Sequence, residues 1–319
     1  MAGARMPSSM NLLELISEYF EPRIQTMNST PIPRTSLART VLGVFKLRIG
    51  FMIMITALVG MVVSTGPSPG IVKVLVLALT VLLASASAGA FNQYYERDSD
   101  RLMARTRGRA FVTGALPHTP AWLVLIALLL IVAVWAAAHW LNPSAAMFVF
   151  LGAFFYAVVY TVWLKRRSWL NIVVGGLAGS FAVLAGAAAV DPVLGPLPCL
   201  LAAVLFLWTP PHFWSLAIAN QAEYEAAGVP MLPVVVGVPR ASRIVLLSTM
   251  ALAITSLLPI FFGAGIIHFV GAATGGGYFV YKAWLLARAP SRKTAMGSFF
   301  ASLIQLSLLL VATTLDSLL

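Results

Sequence analysis

Residues 71–109 read IVKVLVLALTVLLASASAGAFNQYYERDSDRLMARTRGR. Up to Phe91 the only charge is Lys73, and the rest is apolar or small. A helix of about 20 such residues is long enough to cross a bilayer. From Asn92 the character changes at once, with Glu96, Asp98 and Asp100 followed by Arg101, Arg105, Arg107 and Arg109. A spanning helix that runs straight into a dense charge cluster places that cluster at a membrane surface. The rest of the reading works outward from this junction.

Of the 319 residues, 60% are hydrophobic and 10% are Asp, Glu, Lys or Arg, against roughly a quarter charged in soluble domains. With mean hydropathy at +0.91, a soluble globular protein is excluded, because too little polar surface remains to face water. Sparse charge also excludes disorder and nucleic-acid binding. Nine apolar stretches can span, at 41–63, 71–91, 120–140, 144–164, 170–190, 197–219, 243–265, 266–286 and 296–316. The expected fold class is all-α, a polytopic membrane protein of nine transmembrane helices around a central cavity. Residues 1–40 form a tail and 41–319 a single transmembrane domain. The least marked boundary is near Gly265, where no polar linker separates two spans.

The net charge of +11 comes from 21 basic and 10 acidic residues. On nine spans every basic residue except Lys73 falls on one side, which by the positive-inside rule is cytoplasmic. That puts the N-terminus in the cytoplasm and the C-terminus outside, in a bacterial inner membrane, with the site on the cytoplasmic side. Residues 11–20 carry a weak amphipathic pattern suited to the membrane surface, and no leading apolar segment marks a cleaved signal peptide. Cys199 is the only cysteine, so an intramolecular disulfide and a thiolate cluster are out; a packed small residue is the expectation.

Half of the acids form two clusters, 92–109 and 223–228. Asn92, Glu96 and Asp100 recur at i, i+4 and i+8, so on a helix they share one face, while Asp98 points away. Two carboxylates and an amide at that spacing offer oxygen ligands to Mg²⁺, which takes one or two carboxylates together with phosphate oxygens. Arg101, Arg105 and Arg109 supply forked donors to the same phosphates. Glu223, with Tyr224, offers a second acidic group. Such a site suits ionisation of an allylic diphosphate, with the cation held in an apolar chamber. The aromatics Phe154, Phe155, Tyr156, Tyr160 and Trp163 are candidates to line that chamber, though residue by residue packing or lipid contact is the favoured account. His212 is taken as a site residue and His118 as a loop residue near it. His139 and His268 are placed at the outer interface.

At these residues the chain resembles the intramembrane prenyltransferase superfamily typified by 4-hydroxybenzoate polyprenyltransferase. Its likeness is greatest to the protoheme IX farnesyltransferase (haem O synthase) branch. The resemblance is carried by 92-NQYYERDSDRLMARTRGR-109, 208-WTPPHFWSLAI-218, 228-GVPMLPVVVG-237, 160-YTVWLKR-166 and Asn171. It implies Mg²⁺-dependent transfer of farnesyl from farnesyl diphosphate to a vinyl group of haem B, with addition of water. It also implies Asn92, Glu96 and Asp100 as catalytic and metal-binding residues, with Glu223 a further metal ligand. The implied substrate contacts are Arg101, Arg105, Arg109, Lys165, Tyr160, His212, Glu223 and Tyr224. Other partners it implies are the lipid bilayer and haem A synthase or terminal oxidase assembly. The chain departs from the family where Glu96 replaces an Asp and where basic residues before Glu223-Tyr224 are missing. Competing readings are a related enzyme with an aromatic or chlorin acceptor, a transporter, and a non-catalytic oxidase-assembly protein.

Overall fold

The structure, a computed structural model, describes residues 37–319. The amphipathic stretch 11–20 and most of the expected tail lie outside the described residues. The described chain is helical throughout. Helix α1 (Leu37–Val44) and α2 (Leu47–Val62) meet at a 47° bend. The expected first span is therefore broken, and the break falls at Lys46, whose φ of 50° puts it in the left-handed region. There follow α3 (Ile71–Tyr95), the short α4 (Arg97–Asp100) and α5 (Ala110–Thr113), then α6 (Ala121–Trp140) and α7 (Pro143–Phe154). Helix α7 continues as a π-helix over Phe155–Leu164. Next come α8 (Asn171–Gly175), α9 (Leu177–Val190), α10 (Pro196–Ala219), and two short helices, α11 (Gln221–Ala226) and α12 (Leu232–Val236). Helix α13 (Val238–Leu257), α14 (Ile266–Arg288) and α15 (Arg292–Leu318) complete the bundle.

Among the described residues, seven helices or joined helix pairs are long and apolar enough to cross a membrane, and the bent α1–α2 pair makes eight. Helix α14 has 23 residues but is not among them. His268, Gly275–Gly277 and Lys282 make it more polar than the others. The boundary near Gly265 is real: a 3₁₀ turn ends α13 and Gly263 takes φ 100°. Asp316 of α15 then accepts hydrogen bonds from the N–H groups of Gly265, Ile267 and His268. It thereby satisfies donors that the first turn of α14 cannot pair within itself.

Association of helices in lipid gains little from the hydrophobic effect and depends on close packing of small residues. The contact of α2 with α9 shows this. A Cβ added at Gly186 would lie 1.8 Å from the Ala57 carbonyl oxygen, and one at Gly60 would lie 2.2 Å from that of Val183. The same physics corrects one expectation: Cys199 is exposed on the bundle surface. No penalty drives a small apolar residue inward when its surroundings are hydrocarbon. His268, in the first turn of α14, is by contrast enclosed by its neighbours. It is buried, facing Thr313 Oγ1 at 2.8 Å and the Ser256 carbonyl at 3.0 Å.

Candidate active site

One cavity of about 260 Å³ opens where α2, α3, α7, α8 and α11 converge, close to the charge-rich helix ends. Helix α3 stops at Tyr95, yet the i→i+4 hydrogen bonds continue, Glu96 N–H to Asn92 at 3.0 Å and Asp100 N–H to Glu96 at 2.8 Å. The expected shared face therefore survives the break. Asn92, Glu96 and Asp100 are all buried and all line the cavity, while Asp98 is exposed.

Each of these three oxygen-bearing side chains meets a protein cation. Lys46 donates to Asn92 Oδ1 at 2.5 Å, Lys165 pairs with Glu96, and Arg109 reaches Asp100 at 2.5 Å and Glu96 at 3.8 Å. The loop after α4 makes the Arg109 contact possible. Thr106 is buried and donates to the Asp100 carbonyl at 3.0 Å, which folds the chain back over the carboxylates. Burial pushes the Asp100 carboxyl above the usual carboxylate range, and the Arg109 guanidinium pulls it back down.

The π-helix supplies the facing wall. Its i→i+5 pairing, seen in Lys165 N–H to Tyr160 at 2.9 Å, widens the turn, a distortion common at functional sites. Tyr156, Tyr160 and Lys165 all reach the cavity from this segment. The two rings stack with centroids 5.7 Å apart. Lys46 lies over the Tyr156 ring and Lys165 over the Tyr160 ring, each at 5.7 Å. Asn92 is fixed further by donating to Thr161 Oγ1 at 3.0 Å.

Other expected site residues are placed differently. Arg101 is exposed and does not line the cavity; Arg105 does. Glu223 is absent from the lining although Tyr224 is present. One residue turns a helix by about 100°, so the two cannot share a face. Among the described residues no group of three acidic, His or Cys side chains comes together to hold a metal, and Tyr224 rather than Glu223 brings the second cluster to the cavity. His212 also lies away from this cavity. It is buried beside Ser302 Oγ at 2.6 Å and stacked between Trp208 and Phe299, outside the cavity lining. Of the aromatics, Phe154 and Trp163 are exposed and Phe155 packs on Phe181. His118 is exposed, stacks on Tyr94 and bonds its carbonyl at 3.0 Å. Lys46 is a residue to which sequence reasoning gave no role; its signal was a pair of basic residues, Lys46 and Arg48, entering an otherwise apolar span.

An apolar chamber, a mouth carrying two buried carboxylates and four cations, and a wall of lipid-spanning helices define an intramembrane enzyme acting on an amphiphile with an anionic head. The chain belongs to the UbiA prenyltransferase family, which matches residues 53–304. A protoheme IX farnesyltransferase 2 of Paramagnetospirillum magneticum is 54% identical over 285 residues, 89% of this chain and 99% of that one. A protoheme IX farnesyltransferase 1 of Cenarchaeum symbiosum is 38% identical over 285 residues, 88% and 96% of the two chains. The fold is shared with a digeranylgeranylglyceryl phosphate synthase at TM-score 0.74 and 20% identity, covering 89% of this chain and 99% of that one. It is also shared with a UbiA homolog from Archaeoglobus fulgidus bound to DMAPP and Mg²⁺, at TM-score 0.67 and 15% identity, covering 86% and 99%.

Proposed function

We propose that this enzyme transfers farnesyl from farnesyl diphosphate to a vinyl group of haem B, with addition of water, to give haem O. The observation that carries the reading is the buried row Asn92, Glu96 and Asp100, backed by Lys46, Lys165 and Arg109, at the head of an apolar chamber. Relatives at 54% and 38% identity that bear the protoheme IX farnesyltransferase name support the acceptor.

The donor set fits Mg²⁺: two carboxylates and an amide oxygen are hard ligands, and phosphate oxygens complete such a shell. Asn92, Glu96 and Asp100 would hold the ion. When bound, it supplies positive charge that stabilises the departing diphosphate. Lys46, Lys165 and Arg109 are then free to turn from the carboxylates to the diphosphate, which accepts forked and point-charge donors alike. The bond between the first farnesyl carbon and oxygen breaks, with its electron pair leaving on the diphosphate. The stacked faces of Tyr156 and Tyr160 stabilise the allylic cation. The vinyl group attacks it, and water adds at the neighbouring carbon with loss of a proton. The aliphatic wall keeps bulk water away from the cation until then.

In this reading α14 is the eighth crossing and brings the total to nine, the N-terminus is cytoplasmic and the C-terminus outside. The mouth opens to the cytoplasmic side of the bacterial inner membrane, with haem A synthase or terminal oxidase assembly as the consumer of the product. Expression in cells lacking haem O synthase, followed by pigment analysis, tests the function. Haem O should appear; haem B alone would move the acceptor to an aromatic or chlorin.

A further inference from the structure

The cavity has two walls of different kinds. Val81, Ala84, Ala88, Phe148 and Val149 belong to one packed cluster, which Tyr156 joins. Met103, Ile172, Phe213, Tyr224 and Met231 belong to another, which Tyr160 joins. The seam between them is the Tyr156–Tyr160 stack.

The first wall is aliphatic apart from Phe148. Along α3 it runs from Asn92 to Val81, eleven residues and so about 16 Å at 1.5 Å per residue. It suits an extended isoprenoid tail whose head lies at Asn92 and Glu96. The second wall carries two rings and two thioethers. Rings and polarisable sulfur pack well on a broad apolar face. It also carries one cation. Arg105 lies toward Tyr224, with Nη2 at 3.5 Å from the hydroxyl, a long contact that leaves its fork open. The ion pairs of Glu96 and Asp100 are made instead by Arg109 and Lys165. The two arginines of the Arg-Thr-x-x-Arg segment thus face different walls.

We propose that the second wall is the acceptor lobe, and that Arg105 with Tyr224 binds a carboxylate at the edge of a planar apolar ring system rather than the diphosphate. This rests on the reading of haem B as acceptor, whose propionates are such carboxylates. Tyr224 adds a neutral donor beside the guanidinium.

The test uses purified protein in detergent without farnesyl diphosphate. Haem B and its dimethyl ester, in which both propionates are blocked, are titrated by visible absorbance. The wild type should bind haem about tenfold more tightly than the ester, the value of one good charge-assisted pair. Arg105→Gln should lose that preference, binding both as the wild type binds the ester, while Arg105→Lys restores part of it. In steady-state assays Arg105→Gln should leave the KM for farnesyl diphosphate within about twofold, since the arginine then contributes no diphosphate bond. Ala84→Phe, on the other wall, should raise that KM and leave the haem titration unchanged. A wild type that binds haem and ester equally, or an Arg105→Gln variant that loses farnesyl diphosphate affinity and keeps haem affinity, overturns the assignment of Arg105. A wild type with no saturable haem spectrum overturns the haem reading itself.

Discussion

The Arg109 guanidinium rests on the Asp100 carboxylate at 2.5 Å, nine residues further along the chain, because Thr106 folds the intervening loop back onto the Asp100 carbonyl. A cation of the protein thus occupies the carboxylate that the proposed metal needs. With Lys165 it pairs the buried carboxylates, which matters because an unpaired buried charge costs several kcal/mol.

Glu96→Gln and Asp100→Asn should each lower turnover by about a hundredfold or more, the usual cost of losing one preorganised electrostatic contact. Both should still run as folded protein on gel filtration, because amide and carboxylate have the same shape. Near-normal haem O formation in either variant would remove the metal role.

Lys165→Met removes a point charge from Glu96 and from the ring face of Tyr160. The expected result is about a tenfold rise in KM for farnesyl diphosphate, read from initial rates, since a charge-assisted bond contributes about 1.5 kcal/mol or more. The Arg109–Glu96 contact remains, so the fold should persist.

Tyr160→Phe keeps the ring and should keep most of the rate. Tyr160→Leu loses the face and should slow turnover by about two- to thirtyfold, the range of a cation–π contact. Equal rates in the two variants would show that the ring does not meet developing charge.

Gly186→Ala drives a Cβ into the Ala57 carbonyl and should cost about 3 kcal/mol or more, beyond ordinary overpacking, because a backbone atom cannot move aside. Gly179 on the same helix has open space around it. Gly179→Ala should change stability by no more than about 1 kcal/mol and in the stabilising direction. Thermal unfolding in detergent compares the two.

Topology is checked by placing single cysteines in a Cys199→Ala background. A cysteine at Leu141 should react with an impermeant reagent added outside, and one at Arg107 only after the cytoplasmic face is opened. Labelling of position 141 from the cytoplasm would break the alternation on which nine crossings depend.

Much of the molecule follows from local pattern alone. Hydropathy located the helices, since a segment that cannot bury its backbone polar groups in water-free surroundings has to coil. The i, i+4, i+8 recurrence put Asn92, Glu96 and Asp100 on one face, and the i→i+4 hydrogen bonds that run on past the end of α3 keep them there. Both are short-range properties, written in residues a few positions apart.

What local pattern left open depended on neighbours distant in the chain. The break at Lys46 and the π-helix at Phe155–Leu164 arise where two helices must both reach the same mouth, and no periodicity records them. Glu223 and Tyr224 are adjacent, and only the packing of α11 decides that the ring faces the cavity and the carboxylate does not. His212 looked like a site residue because it stands in a dense motif, yet Ser302, ninety positions away, takes it into the α10–α15 contact. Sequence determined which segments enter the membrane and which charges gather at its surface, because those depend on composition and on a single helical turn. Which of those charges share a cavity was decided by tertiary structure, because side chains about 100° apart on one helix meet different partners, and only the packed bundle says which.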